Sequence, residues 1–338
     1  MFGLMPGTLE RWKMEGLPGW VGEEDVPEYF GFDSEGVRLP YPVGFDPPFE
    51  VKILEETDRF VIKTDTLGRV TKLMKGVTTL PQTIDHPVKK PSDWKRLKKR
   101  LRFSKNRLRV DEWSRLFNEG RAKGLPVRVG CQGFFSFPRD LLGEFLLFKA
   151  YYRWPSMIHD ILRTYCDLMI EVSEHMLDNI EIDYFQFGED MCYKHGPMIS
   201  PRIFREFMLP YYREVIGLFR SRGTRIFSVD TDGNVETLIP LLIEAGINVI
   251  LPLEVQAGND VISLRKRFGD KMAFIGGLDK RMLVKGLEEI DCELTTKLAF
   301  MKKSGGYVAG LDHRVLSQTS LENFQYYVKR VREILSIP

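Results

Sequence analysis

Asp230 and Asp232 stand two residues apart in Asp230-Thr231-Asp232-Gly233-Asn234, a spacing that turns both side chains to one face of an extended strand end. Carboxylates held side by side either share a cation or relieve their repulsion by raising one pKa, and both outcomes serve catalysis. A calcium loop of the EF-hand type is excluded, because Leu241 occupies the twelfth position where a glutamate is required. Helix capping by Asp232 is the competing use. A second acidic pair is Glu189-Asp190 in Gly188-Glu189-Asp190-Met191-Cys192-Tyr193-Lys194-His195. Neighbouring side chains of an extended chain face opposite sides, so one carboxylate is expected at the site and the other in an ion pair, with Lys194 as its partner. The alternative is that both cap the next segment. His313 follows Asp312, and an imidazole is a metal ligand or proton shuttle near neutral pH. His195 is a second candidate, whereas His86, His159 and His175 suit surface or packing roles. In Gly276-Gly277-Leu278-Asp279-Lys280-Arg281 the glycines permit close backbone approach. Lys280 and Arg281 then either receive a substrate carboxylate or phosphate, or pair with Asp279 and Glu254.

Each of these groups follows a short apolar run. Tyr184-Phe185-Gln186-Phe187 precedes Glu189, Ile226-Phe227-Ser228-Val229 precedes Asp230, and the runs 247–253, 272–277 and 307–311 precede Glu254, Asp279 and Asp312. Segments of helical period lie between them, so the pattern is β-α repeated. Such strands imply a parallel sheet covered by helices, and right-handed crossovers close it into a barrel whose active site forms at the C-terminal strand ends. The expected fold is a TIM-type (β/α)8 barrel in one domain over 1–338, with regular β-α units over 126–338 and a loop-rich, hairpin-bearing extension over 1–125. Short strands are predicted at 51–53, 59–63 and 70–73, with a hairpin turn at Asp65-Thr66-Leu67-Gly68. After a strand at 127–130 comes an aromatic turn whose Phe134, Phe135 and Phe137 are expected to wall a substrate. Helices follow from Asp140 and over 155–177. Ser200 and Ser320 are predicted N-caps. The basic stretch 89–109 spaces Trp94, Leu97 and Leu101 as one buried helical face with lysines on the solvent side, which is favoured over an RNA-binding patch.

Composition narrows the class. A chain of 338 residues with 43% hydrophobic content can bury a large core, and a net charge of +2 argues neither for nor against nucleic acid, where clustered charge decides. Cys131, Cys166, Cys192 and Cys292 form no CxxC pair, so neither a disulfide scaffold nor a thiolate zinc knuckle is expected. No run reaches the roughly 20 apolar residues of a membrane span, and residues 1–12 lack a basic region followed by a long apolar run. The expected compartment is the cytoplasm, with neither a nucleic acid nor a membrane as partner.

Ile199-Ser200-Pro201 with Phe204, Gly276-Gly277-Leu278-Asp279, Gly305-Gly306-Tyr307-Val308 and Leu321-Glu322-Asn323 carry a resemblance to the uroporphyrinogen decarboxylase superfamily, which also holds cobalamin-dependent methyltransferases. The resemblance covers the chain from about Pro126 onward and implies a TIM-type barrel. Thiol-methylating members bind zinc through His-x-Cys-Gly and a later cysteine; here Asp230-Thr231-Asp232-Gly233 and Asp312-His313 stand in those places. Hard oxygens in place of thiolates disfavour a thiol-activating site. The decarboxylase signature Arg-Gln-Ala-Gly-Arg is absent. The resemblance therefore implies a methyltransferase that moves a methyl group from a small O- or N-methylated compound to a corrinoid, with a lyase or decarboxylase acting on a small carboxylic acid or tetrapyrrole-like substrate as the alternative. A non-catalytic tetrapyrrole or corrinoid binder is the reading from another class. Glu189, Asp190, Asp230, Asp232 and His313 are the expected catalytic groups. Tyr193, Lys194, Glu254, Asp279, Lys280 and Arg281 join the phenylalanines in binding substrate. Asp230, Asp232, Glu189, Asp312 and His313 are the expected ligands of a divalent metal, zinc first by family. No histidine stands in an Asp-x-His-x-x-Gly signature, so the corrinoid is expected on a partner protein that docks over loops 134–139 and 193–197. A homodimer is an allowed assembly.

Overall fold

The computed structural model describes residues 3–76 and 81–336; the first two residues of the start lie outside them. Parallel strands β1 (Val37–Arg38), β6 (Val127–Gln132), β7 (Tyr184–Gly188), β10 (Ile226–Asp230), β11 (Val249–Leu251), β12 (Ala273–Ile275) and β13 (Tyr307–Val308) pair in that order into a seven-stranded sheet. The fold is TIM-type α/β. Among the described residues the ladder has seven strands instead of the expected eight, with β1 and β13 as its two edges. β1 comes from the segment read as extension.

Alternation explains why these runs become strands. Val127, Val129, Phe185, Phe187, Phe227 and Val229 point outward and are buried beneath helices, each large one contributing about 1.5–3 kcal/mol. The helix Pro155–Leu177, as predicted, begins on a proline and buries a stripe through Ile158, Ile161, Leu162 and Tyr165. Ser200 and Ser320 cap as predicted, accepting from the backbone N–H of Ile203 and Asn323. The helix expected from Asp140 starts earlier, at Ser136, and ends at Leu142, where Gly143 breaks it from a second helix, Glu144–Arg153.

Between β1 and β6 the chain builds a separate antiparallel sheet of β2 (Ile53–Glu56), β3 (Phe60–Thr64), β4 (Val70–Met74) and β5 (Gln82–Asp85). Its β3–β4 turn is the predicted one: Asp65 accepts from the N–H of Leu67 and Arg69. β5 escapes sequence reading because Ile84 is its only apolar residue. The basic stretch resolves as packing, with Trp94 and Leu101 buried and Lys98 paired to Asp160 at 2.5 Å. β8 (Cys192–Tyr193) and β9 (Gly196–Pro197) form a small hairpin at the strand-end pole.

The start of the chain packs on its last helix, Leu321–Leu335. Trp12 lies 4.6 Å from Phe324, ring centre to ring centre, and donates its indole N–H to the Thr319 carbonyl at 3.0 Å. Leu4 bridges in parallel to Val315, which brings Met5 and Pro6 to the strand-end pole. All four cysteines are free thiols. Among the described residues no helix is long and apolar enough to cross a membrane.

Candidate active site

A cavity of about 710 Å3 lies at the C-terminal strand ends. Asp230 closes β10, and the turn Thr231-Asp232-Gly233 follows it. Gly233 adopts φ 82, and no Cβ fits there against the Cys192 carbonyl, so only glycine permits this turn. The Gly233 N–H donates to Glu254 at 2.9 Å, drawing the end of β11 toward Asp232. His313, after β13, sets its Nε2 3.8 Å from Asp232 Oδ2. One ligand atom from each of Asp232, Glu254 and His313 lies within 4.8 Å of the others. Two residues of this pole, Asp190 (φ 43) and Leu253 (φ 63), hold left-handed backbone, a strain that recurs at functional sites.

The electrostatics favour proton chemistry. Burial, followed by the charges of Asp190 and Asp232, pushes Asp230 up to about 6. Asp232 is also raised, by burial first and Glu254 second, while His313 pulls the other way. Two carboxylates and an imidazole form a donor set that suits a hard or borderline divalent cation. The histidine places a condition on that use. Its Nδ1 accepts the Arg314 N–H at 2.8 Å, so a neutral ring carries its proton on Nε2, facing Asp232. A cation at Nε2 requires the proton to move to Nδ1 and the Arg314 bond to break.

Several expected site residues turn out to be structural. Glu189 lines the floor of the cavity, almost fully buried, and accepts from the N–H of Phe135 at 3.0 Å and Ser136 at 2.8 Å, and from the Tyr212 hydroxyl. Burial pushes it to about 8 against those backbone donors, and no Cβ fits at Gly133 beside it. It anchors the 133–136 turn and is not placed as a metal ligand. Phe134, Phe135 and Phe137, expected to wall a substrate, do not line the cavity: all are buried, with Phe137 stacked on Tyr165 at 4.0 Å and Phe134 edge-on to Tyr212 at 5.0 Å. Asp312 is likewise removed from the metal set, since it accepts from the N–H of Val255 and Lys280 and pairs with the Lys280 ammonium at 3.4 Å. Arg281 clamps Asp279 through Nε and Nη2 at 2.8 and 2.6 Å, which outweighs burial and holds that carboxyl low. The pairing alternative for Lys280 and Arg281 thus prevails, with Asp312 instead of Glu254 as the lysine's partner. Asp190 pairs with Arg139 at 3.3 Å, not with Lys194. Tyr193, exposed, donates to Glu144 at 2.6 Å, and Lys194 and His195 are exposed on the same hairpin. His86 bonds the Asp140 carbonyl, while His159 stacks on Phe207 and His175 on Phe103.

Sequence reasoning missed the basic side of the cavity. Arg69 arrives from the antiparallel sheet and pairs with Asp65 at 2.7 Å and Asp140 at 2.6 Å; Gln132 donates to the same Asp140. Arg139 and Arg314 also line the cavity. The signal for Arg69 was its place just after the hairpin turn, but nothing local says which way the hairpin leans.

Comparison with known proteins gives consistent results. A family model described as Uroporphyrinogen decarboxylase (URO-D) matches residues 61–334. A protein named Uroporphyrinogen decarboxylase from Psychromonas ingrahamii is 30% identical over 145 residues, 42% of this chain and 40% of that protein. One of the same name from Hydrogenovibrio crunogenus is 27% identical over 186 residues, 54% of this chain and 50% of that protein. The chain thus spans half or less of the length of these curated relatives. Among solved structures, a methyltransferase from Methanosarcina mazei superposes with a TM-score of 0.59 at 16% identity, over 92% of this chain and 83% of that one. That likeness is one of fold.

Proposed function

Because this chain belongs to the uroporphyrinogen decarboxylase family, an enzyme superfamily, we propose that it is a methyltransferase moving a methyl group from a small O- or N-methylated compound to a corrinoid on a partner protein. The observation that carries this reading is the convergence of Asp230, Asp232 and His313 on one cavity, with Glu254 within ligand-atom reach of the last two and both aspartates raised by burial. When the methyl–oxygen or methyl–nitrogen bond breaks, its electron pair stays on the departing heteroatom. A protonated Asp230, or the Nε2–H of His313, neutralises that charge as it develops. A corrinoid supplies the nucleophile that accepts the methyl group. The mouth cavity, at about 710 Å3, matches a small ligand and is too small to enclose a corrinoid, which fits a cofactor presented at the rim by another protein. Where a divalent cation is used, Asp232, Glu254 and His313 would hold it, and it would polarise the leaving heteroatom. Anaerobic incubation with reduced corrinoid and a panel of methyl ethers and methylamines tests the reading, with metal analysis of the isolated protein alongside. Methylcorrinoid formation is expected; its absence across the panel rejects the proposal.

Arg69, Arg139 and Arg314 in the lining of the same cavity favour a second reading, a carboxy-lyase whose organic acid faces those arginines, in line with the names of the matched relatives. The carbon–carbon bond would break to release CO2, and Asp230 would protonate the carbanion left behind. Release of CO2 from an organic acid without corrinoid would select it.

A further inference from the structure

The inner face of the sheet is lined by groups that a packed barrel does not use. TIM-type barrels fill their interior with layers of branched apolar side chains. Here the inward positions are Arg128, Gly130 and Gln132 on β6, and Tyr184, Gln186 and Gly188 on β7. A cavity of about 780 Å3 lies against them, within the roughly 300–1,000 Å3 usual for small-molecule sites. Leu251, Ile275 and Val308 make one wall apolar, and Arg38, Arg128 and Gln186 make the other polar. Asp230 borders both this cavity and the mouth, so one carboxylate faces the reacting end from either volume.

Arg38 and Arg128 share this lumen with Asp33, Glu35 and Asp230, yet the two arginines are incompletely partnered. Arg38 and Arg128 are direct partners in the β1–β6 register, and like charges facing each other across strands repel. Arg128 pairs with Glu35 at 2.6 Å and donates to Gln186 at 3.3 Å, but its Nε is buried with no hydrogen-bond partner among the described residues. Arg38 makes one long hydrogen bond, 3.5 Å to the Gly130 carbonyl, and no ion pair among the described residues. Asp33 lines the same cavity without pairing to either arginine. From the level of Arg128 to that of Gln132 the strand rises roughly 13 Å, at about 3.3 Å per residue.

We propose that the lumen holds an elongated organic anion, its carboxylate or phosphate seated between Arg38 and Arg128 and its apolar body running along Leu251 and Ile275 toward Asp230. This rests on the reading of Asp230 as part of the reacting end, and it names the substrate class: a methylated compound with an acidic group at the far end. The test is calorimetric binding to the full chain, without corrinoid, using 4-phenylbutanoate, phenyl phosphate and neutral 4-phenylbutan-1-ol. At least one anion should bind ten or more times more tightly than the alcohol, and the tighter of the two identifies the oxyanion. Arg38→Met should weaken that anion at least tenfold with little change in melting temperature, Arg38→Lys should recover part of the loss, and Lys329→Met on the exposed face of the last helix should leave it unchanged. Equal binding by Arg38→Met and wild type, an equal loss of binding in Lys329→Met, or no measurable anion binding would each overturn the site. If Arg38-dependent binding holds while no methylated compound is turned over, the methyltransferase reading fails and the lumen site stands.

Discussion

Asp230 and Asp232 lie on the same cavity but do different work. Asp230 is held by Gln186 at 3.3 Å and lifted by burial to about 6, while Asp232 faces His313 and Glu254. As the proton donor, Asp230 must be protonated, so turnover should fall as pH rises through about 6, and Asp230→Asn should give a low rate without that limb. Stability follows the same sign. A carboxyl whose folded pKa is raised contributes stability fully present below about pH 4 and lost as pH climbs through the folded value. Asp230→Asn should therefore gain on the order of 1 kcal/mol over wild type at pH 7–8, after allowance for solvent screening, read from urea midpoints at both ends of the range. Asp232 is half-exposed, so Asp232→Ala should change stability by about 0.5 kcal/mol or less while abolishing turnover. Full activity would remove Asp232 from the mechanism, and a collapsed melting temperature would show a structural role.

At the level of elements, Glu189 ties β7 to the turn after β6. Glu189→Ala leaves the N–H groups of Phe135 and Ser136 and the Tyr212 hydroxyl without their acceptor; at about 1–3 kcal/mol for each buried unsatisfied group, a loss of roughly 3–5 kcal/mol is expected in chemical denaturation. Glu189→Gln retains an acceptor oxygen and should lose less. Sequence spacing revealed that carboxylates end these strands, because alternation and strand-end position are local properties. It did not reveal which of them turn inward to the protein: Glu189 is claimed by Tyr212 and by backbone far away in sequence, and Asp312 by Lys280. Phe134, Phe135 and Phe137 misled for a related reason, since an aromatic run in a turn has no periodicity to separate a pocket wall from a core. Arg69 was illegible because its position depends on how one sheet leans on another. Its ion pairs with Asp65 and Asp140 fix it at the cavity edge, so on the carboxy-lyase reading, where the acid group faces the mouth, Arg69→Met should raise KM for the organic acid at least fivefold with a smaller change in kcat, measured by steady-state kinetics.

Over the whole molecule, the chain start closes on the last helix through Trp12, Phe30 and Phe324, and that closure sets Met5 and Pro6 beside His313 at the mouth. The opposite rim has a different character. Phe145 is 85% exposed and Tyr152 77%, and their seven-residue spacing puts them on one face of the helix Glu144–Arg153. Tyr193, 54% exposed, is tied to that helix through Glu144. The buried phenylalanines of 134–137 cannot supply the docking surface expected of that loop, whereas this aromatic strip, joined through Glu144 to the strand-end hairpin, suits the composition of interface cores. On the proposed reading, a corrinoid protein lays its cofactor face over the mouth and contacts this strip. The double variant Phe145→Ser/Tyr152→Ser should then raise the apparent KM for the corrinoid protein tenfold or more. Binding of small ligands, the melting temperature and methyl transfer to free corrinoid at saturating concentration should stay near wild type, because neither side chain reaches the cavity. An unchanged KM for the corrinoid protein would move the docking surface elsewhere on the rim. Copurification of the isolated chain with tightly bound corrinoid would contradict the separate-carrier arrangement itself.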